Sequence, residues 1–311
     1  MSALHFQNTR GFLLAIIAAA GFSAKAIFIK LAYFSAPVDP VTLLALRMLF
    51  SLPAFAFVAW RSASATRPLD RTDLLLIAGL GLIGYYLSSL FDFMGLQYLS
   101  AGLERLILFL YPTFTVLLSA IFLGHPVTRA HLSALALCYG GIGLVFLHDM
   151  PHHSAHLWLG AGLVFASTLS YSIYLTGAGH AISRLGSQRF TALSMVAASL
   201  MTLAQFTLTH RLSALEQPER VYALAFGMAV FSTVLPVFAL SAAIRLLNPG
   251  KTALIGSIGP IATIFMAWAW LDEPVSAIQL AGSALVLTGV WLIGRARKPV
   301  PTVQDGKAGA A

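Results

Sequence analysis

The stretch GLERLILFLYPTFTVLLSAIFLGHP, residues 102–126, decides the fold of this chain. A second copy, GKTALIGSIGPIATIFMAWAWLDEP, occupies residues 250–274. The two copies align without a gap at a spacing of 148 residues, which brings Pro112 opposite Pro260. A repeat of this length in an apolar chain predicts a membrane bundle built by duplication.

The composition excludes an ordinary soluble domain. Hydrophobic residues make up 58% of the 311 residues and charged residues only 10%, whereas soluble domains carry about 25% charged residues. The net charge of +8 does not indicate a nucleic-acid-binding face, because the basic residues lie between apolar runs. The single cysteine, Cys138, excludes an intrachain disulfide and is expected to be a small core residue.

The chain contains ten candidate membrane spans. Each is expected to be helical, because a helix satisfies its own backbone in lipid and these runs are too long and too uniformly apolar for barrel strands. We therefore predict an all-α polytopic membrane protein of ten transmembrane helices, with a first repeat at 1–148, a second at 149–298 and a disordered tail at 299–311. The predicted spans are 11–33, 40–60, 74–93, 101–123, 130–147, 157–179, 190–209, 221–243, 252–270 and 277–294.

The distribution of lysine and arginine predicts the orientation. Basic residues collect in alternate loops, and these are expected to be cytoplasmic. The result is an even number of spans with both termini in the cytoplasm. Because each half then has five spans, the second half enters from the opposite side and the repeat is inverted, as in many secondary transporters. The expected cytoplasmic bases are Arg10, Arg61, Arg67, Arg71, Arg129, Arg184, Arg189, Arg245, Lys251, Arg295, Arg297 and Lys298.

The end of each half resembles the EamA repeat of the drug/metabolite transporter superfamily. The second copy has the acidic turn Leu271-Asp272-Glu273-Pro274, followed by Gln279 and spaced glycines. The first copy keeps the proline and glycine frame but has His125 and His131 in place of the acid and the glutamine. The resemblance implies two inverted five-helix halves around a central cavity. It also implies transport of small metabolites or drugs, commonly as an exporter, with amino acid exporters among the relatives.

Charged residues inside the spans are the main candidates for a substrate site, because such groups are costly in lipid. They are Lys25, Lys30, Arg47, Asp92, Glu104 and Arg105. Lys25 is the deepest, and it either pairs with Asp92 or Glu104 or contacts a substrate. Arg47 could clamp a carboxylate of a substrate or of a neighbouring acid. Lys30 is expected to snorkel to the membrane surface. Glu104 and Arg105 project about 100° apart, and either could lie in the headgroup region.

Aromatic and helix-breaking residues complete the predicted site. We expect Lys25 and Arg47 to contact the anionic end of a substrate, with Tyr85, Tyr86 and Tyr111 around its apolar part. Packing or an interfacial belt is the alternative role for these tyrosines. Paired breaks in membrane helices are typical of transporter substrate sites. Pro112, Gly256, Gly259 and Pro260 are therefore predicted to mark moving spans, against the alternative of simple packing kinks.

These features favour a secondary transporter in the cytoplasmic membrane, with a small-molecule substrate and no nucleic-acid partner. We predict that the chain is not an enzyme and needs no cofactor: a GxxxxGK[ST] phosphate loop, an HExxH motif and a GxSxG elbow are all absent from the sequence. The alternatives are an intramembrane enzyme and a membrane interaction protein without transport. No metal site is expected, since the histidines at positions 148, 152, 153 and 156 are weak candidates without an ordered scaffold.

Overall fold

The computed structural model describes residues 2–63, 68–124, 129–149, 156–247 and 249–296. Every regular element within these ranges is helical. The first half contains α1 (Ser2–Ser35), α2 (Pro40–Ala63), α3 (Arg71–Gly81), a π segment (Leu82–Leu87), α4 (Ser88–Gly95), α5 (Ala101–Leu108), α6 (Tyr111–Leu123) and α7 (Arg129–Asp149). The second half contains α8 (Leu157–Leu185), α9 (Ser187–Thr209), a short 3₁₀ turn (Leu212–Leu215), α10 (Glu219–Ala229), a second π segment (Val230–Val234), α11 (Leu235–Leu247), α12 (Pro249–Gly256), α13 (Gly259–Leu271) and α14 (Ala277–Ala296). The predicted tail at 299–311 lies outside the described residues.

Eight helical stretches within the described residues are long and apolar enough to cross a membrane. They coincide with the first eight spans predicted from the sequence. The last two predicted spans contain shorter apolar helices, Gly259–Leu271 and Ala277–Leu292. Large apolar side chains such as Trp60, Leu75 and Trp270 cover the outside of the bundle, as expected for a surface that faces lipid.

The two halves repeat element by element at the spacing found in the sequence. Both ends of α6 and α13 differ by 148 residues, as do the first residues of α3 and α10 and of α7 and α14. The two π segments also begin 148 residues apart. π-Helical turns are rare and often lie at functional sites. No periodicity in the sequence indicated them.

Packing between the halves is reciprocal. Helix α1 packs on α10, α11, α12 and α13, while its counterpart α8 packs on α3, α4, α5 and α6. Helices α2 and α9 pack on each other, and so do α7 and α14. The α7–α14 contact depends on Gly141 and Gly282, because a Cβ atom at Gly141 would lie 2.6 Å from the Gly282 carbonyl oxygen. Cys138 is fully buried beside this contact, which confirms its expected place in the core.

The predicted proline kinks are complete breaks in the helices. Helix α5 ends at Leu108 and α6 begins at Tyr111, so Pro112 lies in the first turn of a new helix rather than in the interior of a continuous one. Pro260 has the same place at the start of α13. A proline costs little there, because the first-turn N–H groups have no helical acceptor. Both spans are therefore interrupted at the prolines, and neither proline removes a hydrogen bond from the interior of a continuous helix.

Candidate functional site

Four charged side chains from α1, α4 and α5 meet in the interior, and we call them the charge cluster: Lys25, Asp92, Glu104 and Arg105. The Lys25 ammonium lies 2.6 Å from Asp92 Oδ2 and 3.7 Å from Glu104 Oε1. The two acids are 1% and 0% exposed, whereas the Lys25 side chain keeps 18% exposure. The headgroup alternative for Glu104 is thus excluded, and the predicted partners of Lys25 are found.

The carboxylates of the charge cluster retain hydrogen-bonding capacity. Although Lys25 is close, none of the four oxygens of Asp92 and Glu104 accepts a well-directed hydrogen bond within the described part of the chain. The short distances to Lys25 represent charge pairing, and the carboxyl groups of Asp92 and Glu104 also lie within hydrogen-bonding range of each other. Buried carboxylates normally have their oxygens satisfied by donors. Donors that the protein does not supply must come from water or from a bound solute.

Arg105 reaches from the first half to the second. Its guanidinium lies over the Phe109 ring, 5.6 Å from the centroid. It also lies beside Gly259 at the start of α13, where a Cβ atom would be 3.1 Å from Arg105 Nη2. Gly259 therefore leaves the space that Arg105 occupies. The Arg105 Nε atom is buried and has no hydrogen-bond partner among the described residues.

Arg47 is held mainly by hydroxyl groups. Its Nε donates to Thr233 Oγ1 at 2.9 Å, Nη1 lies 3.4 Å from Ser89 Oγ, and the guanidinium lies over the Phe93 ring. Thr233 belongs to the second π segment, so this contact also joins the two halves. The ion pair with Asp92 or Glu104 that the sequence allowed is not among the contacts of Arg47; the structure gives it hydroxyl and aromatic partners instead.

Five aromatic rings continue from Arg105, and we call them the aromatic row: Phe109, Tyr111, Tyr171, Tyr174 and Tyr85. Successive ring centroids are 6.0, 5.7, 5.8 and 4.9 Å apart. The row ends in a hydroxyl–hydroxyl hydrogen bond of 3.0 Å between Tyr85 and Tyr174.

Sequence reasoning found Tyr85 and Tyr111 but missed their partners on α8. A signal existed, because Tyr171 and Tyr174 are one helical turn apart in the hydroxyl-rich run STLSYSIYLT. Tyr86, which was predicted with Tyr85, packs against the core cluster that contains Phe93, as Tyr85 also does.

Gly84 in the first π segment makes room for the aromatic row. A Cβ atom there would lie 2.2 Å from Tyr174 Cγ. The Ile83 carbonyl of the π segment accepts from the Ser88 N–H and also from the Ser170 hydroxyl, the latter at 2.6 Å. The α8 face that carries the two tyrosines is thus fixed against this segment by a ring contact and a hydrogen bond.

A second set of contacts joins the halves at one end of the bundle, and we call it the Glu273 latch: Lys30, Leu99, Ala101 and Glu273. Lys30 Nζ lies 2.9 Å from Glu273 Oε1 and donates to the Leu99 carbonyl at 2.7 Å. Both Glu273 oxygens accept from the Ala101 N–H, at 3.1 and 3.0 Å. Glu273 therefore satisfies one of the free N–H groups at the start of α5. Lys30, which was expected to snorkel to the membrane surface, also has a counter-charge from a residue far away in the sequence.

The opposite end of the bundle carries a different ion pair. Arg184 on α8 contacts Asp70 and Asp73 at the start of α3, at 2.6 and 3.1 Å. Asp70 also caps α3 through the Asp73 N–H. Of the two glycines predicted to mark moving spans, Gly259 lies beside Arg105, whereas Gly256 has open space where a Cβ atom would lie.

Metal ligands do not cluster within the described residues, where no group of three or more His, Cys, Asp or Glu side chains could hold an ion. His152 and His153 lie outside those residues. His156 packs against the Tyr98 ring, with centroids 5.6 Å apart.

Long apolar helices that enclose paired, buried charges define a multi-pass membrane protein with a polar interior, the architecture of a solute transporter. The chain belongs to the EamA-like transporter family, whose model matches residues 9–147 and again residues 158–295. The resemblance noted in the sequence is thereby confirmed, and the family indicates a transporter rather than an enzyme.

Curated relatives cover most of the chain. An uncharacterized transporter of Bacillus subtilis, YcbK, is 29% identical over 91% of this chain and 93% of its own length. A probable amino-acid metabolite efflux pump of Escherichia coli is 25% identical over 90% and 93%. A probable terminal-alkyne amino-acid exporter of Streptantibioticus cattleyicolor is 26% identical over 74% and 75%. A solved crystal structure with 16% identity matches 91% of this chain and 97% of its own, with a TM-score of 0.63, which shows the shared fold.

Proposed function

We propose that this chain is a secondary transporter that exports small metabolites, such as amino acids or amphipathic drugs, across the cytoplasmic membrane. The observation that carries the proposal is the charge cluster, in which two buried carboxylates without well-directed donors lie beside a partly exposed lysine. A bundle that served only as a scaffold would gain little from it, because apolar residues replace buried ion pairs at no loss of stability. The printed names of the relatives from E. coli and S. cattleyicolor support amino acids as the solute class.

The proposed architecture has ten spans in two inverted repeats, 1–148 and 149–298, with both termini cytoplasmic. Element bounds that repeat every 148 residues and reciprocal packing support the duplication. In this orientation the Glu273 latch lies at the external end and the Arg184 ion pair at the cytoplasmic end. Reporters fused after Arg189 and after Glu216 should read cytoplasmic and external respectively. A periplasm-active reporter that functions after Arg189 would contradict the inverted arrangement.

Alternating access is proposed to work at the two helix breaks. The external segments α5 and α13 pack together, with Gly102 against Ile264. Each break frees a segment to tilt without straining a continuous helix, which is the role we assign to Pro112, Gly256, Gly259 and Pro260. The Glu273 latch holds the external segments closed, so opening this end requires that Lys30 and Ala101 release Glu273.

Solute flux through the purified chain tests the proposal. Proteoliposomes loaded with the common amino acids are diluted into buffer, and the external solution is analysed by mass spectrometry. We expect selective release of a subset of solutes at rates above those of protein-free liposomes. Release that does not exceed those liposomes, for amino acids and for a panel of amphipathic drugs, would refute transport by this chain.

A further inference from the structure

We propose that Arg47 and Ser89 form a binding site for a small inorganic anion such as chloride, at the junction between the two halves of the bundle. The anion supplies the counter-charge that no carboxylate gives to Arg47. It stabilises the folded bundle and is not the transported solute. The anion site therefore does not depend on whether the chain carries a solute across the membrane.

Arg47 is a buried cation without a carboxylate partner. The residue is 7% exposed, and none of the ion pairs that the described residues form includes it. An arginine side chain cannot escape its charge by losing a proton, because its pKa is too high. Hydroxyl groups and the Phe93 ring solvate the guanidinium but carry no opposite charge. A buried charge in this position is strongly destabilising unless a counter-ion joins it.

The acid that interacts with Arg47 is already paired with another cation. Asp92 attracts Arg47 only over a longer distance, while Asp92 Oδ2 lies 2.6 Å from Lys25 Nζ. Glu104 interacts with Lys25 and with Arg105. These five side chains therefore bring three positive charges together with at most two negative charges. At least one positive charge remains, and a monovalent anion beside Arg47 balances it.

The Arg47 guanidinium has donors left for this anion. Arginine carries five N–H donors, and the contacts of Nε with Thr233 Oγ1 and of Nη1 with Ser89 Oγ use two of them. The Thr233 hydroxyl donates to the Met228 carbonyl and is thereby occupied. The Ser89 hydroxyl proton, in contrast, has no acceptor within the described ranges. An anion between the terminal nitrogens and Ser89 accepts from both groups, and hydrogen bonds of this charged kind are strong.

The surroundings of Arg47 restrict the anion to a small one. Phe93 covers one face of the guanidinium, with its ring centroid 5.5 Å away, and Thr233 is buried on the Nε side. Ser89 is only half-buried, so the approach that remains open is beside Nη1. A single atom with the radius of chloride fits such an enclosed position better than a large organic anion does.

The second half of the chain has no equivalent of this site. At a spacing of 148 residues Arg47 corresponds to Met195 and Ser89 to Val237. Met195 is fully buried in the core, which shows that the bundle accepts an apolar side chain at this position of the repeat. The fold therefore does not require a charge there, and Arg47→Met is a suitable variant for a test.

The experiment measures thermal unfolding of the purified protein in detergent, at one fixed scan rate. Sodium gluconate is replaced stepwise by sodium chloride at constant ionic strength, because gluconate is too large for the enclosed position. A ligand that binds only the folded state stabilises it by RT ln(1 + [L]/Kd). The Tm of the wild type should therefore rise with chloride, by roughly 2–5 °C at ten times the Kd.

The variants separate anion binding from general effects of the salt. Arg47→Met should abolish the chloride response, and its Tm in gluconate should be no lower than that of the wild type, because the unbalanced charge is gone. The control Arg220→Met, at the exposed start of α10, should keep the full response. If Arg47→Met does not fold, Ser89→Ala should raise the chloride concentration at half-maximal stabilisation several-fold.

Three results would overturn the anion site. They are a wild-type Tm that does not respond to chloride, an undiminished response in both Arg47→Met and Ser89→Ala, and saturable stabilisation by acetate where chloride has no effect. The last result would assign Arg47 to the carboxylate of a solute. Solute flux without a chloride response would overturn the anion site and leave the transport function standing. A chloride response that requires Arg47, without any flux, would do the reverse.

Discussion

Removing the Lys25 ammonium is expected to destabilise the protein strongly. In Lys25→Met the aliphatic bulk remains, but Asp92 and Glu104, 1% and 0% exposed, lose their closest positive charge. Breaking a buried ion pair costs about 3–5 kcal/mol, whereas exposed pairs contribute about 0.2–1 kcal/mol. For a chain of this size the loss corresponds to a fall in Tm of roughly 5–15 °C. If Lys25 served only to contact a substrate, which was the alternative that the sequence allowed, its removal would leave stability nearly intact.

The assay is thermal unfolding of the purified protein in detergent, followed by tryptophan fluorescence at one fixed scan rate, because irreversible unfolding makes Tm rate-dependent. The double variant Lys25→Met/Asp92→Asn should recover part of the loss, since it also removes the carboxylate nearest Lys25 and leaves Glu104 beside Arg105. Arg220→Met, at an exposed position, should stay within about 0.5 kcal/mol of the wild type. A Tm for Lys25→Met within about 2 °C of the wild type, or no recovery in the double variant, would refute the ion-pair reasoning.

Two further perturbations test the latch and the aromatic row. Glu273→Ala removes the acceptor at the start of α5 and the partner of Lys30, at a cost of about 0.5–2 kcal/mol for the cap alone. Ile264 is buried at the α5–α13 contact, so a cysteine at this position, in an otherwise cysteine-free chain, reports opening of that contact. Glu273→Ala should speed labelling of this cysteine by an impermeant thiol reagent several-fold. The control Glu216→Ala, at an exposed position, should not change the labelling rate. Equal labelling rates with and without Glu273→Ala would argue against the Glu273 latch as a gate. Gly84→Ala would place a methyl group 2.2 Å from Tyr174 Cγ and should lower the unfolding free energy by about 1–3 kcal/mol. The control Gly79→Ala, in the same span, meets open space and should be neutral or slightly stabilising. Similar stabilities of the two variants would show that the position of Tyr174 does not depend on Gly84.

The sequence predicted the helices and the repeat, because both follow from patterns that can be seen along the chain without knowledge of long-range contacts. Apolar runs of sufficient length gave the helices, and the 148-residue spacing gave the repeat that the element bounds reproduce. The pairing of Lys25 with Asp92 or Glu104 was also foreseeable, since similar depth in the membrane limits the partners of a buried charge. These inferences needed only positions along the chain.

Features that depend on contacts between distant segments were missed. The pairing of Lys30 with Glu273 requires α13 to deliver a carboxylate to the end of α1, and no spacing in the sequence shows that. The two π segments leave no mark in hydrophobic periodicity, because one extra residue per turn hardly changes which side chains are apolar. Tyr171 and Tyr174 were missed for a related reason, because their place in the aromatic row depends on contacts with Tyr111 and Tyr85, which lie far away in the sequence.

The two halves of the duplicated bundle carry different residues at equivalent positions, so the two ends of the bundle are not chemically equivalent. Ala101 offers its N–H to Glu273, but the equivalent residue in the second half is Pro249, which has no N–H to offer. Lys30 corresponds to Ala178, and Glu104 and Arg105 correspond to Thr252 and Ala253. A duplicated bundle with equivalent residues at both ends would open either way at equal cost. Because the Glu273 latch has no equivalent at the other end within the described residues, the two open states of the proposed transport cycle would differ in free energy, and that difference would favour one resting state.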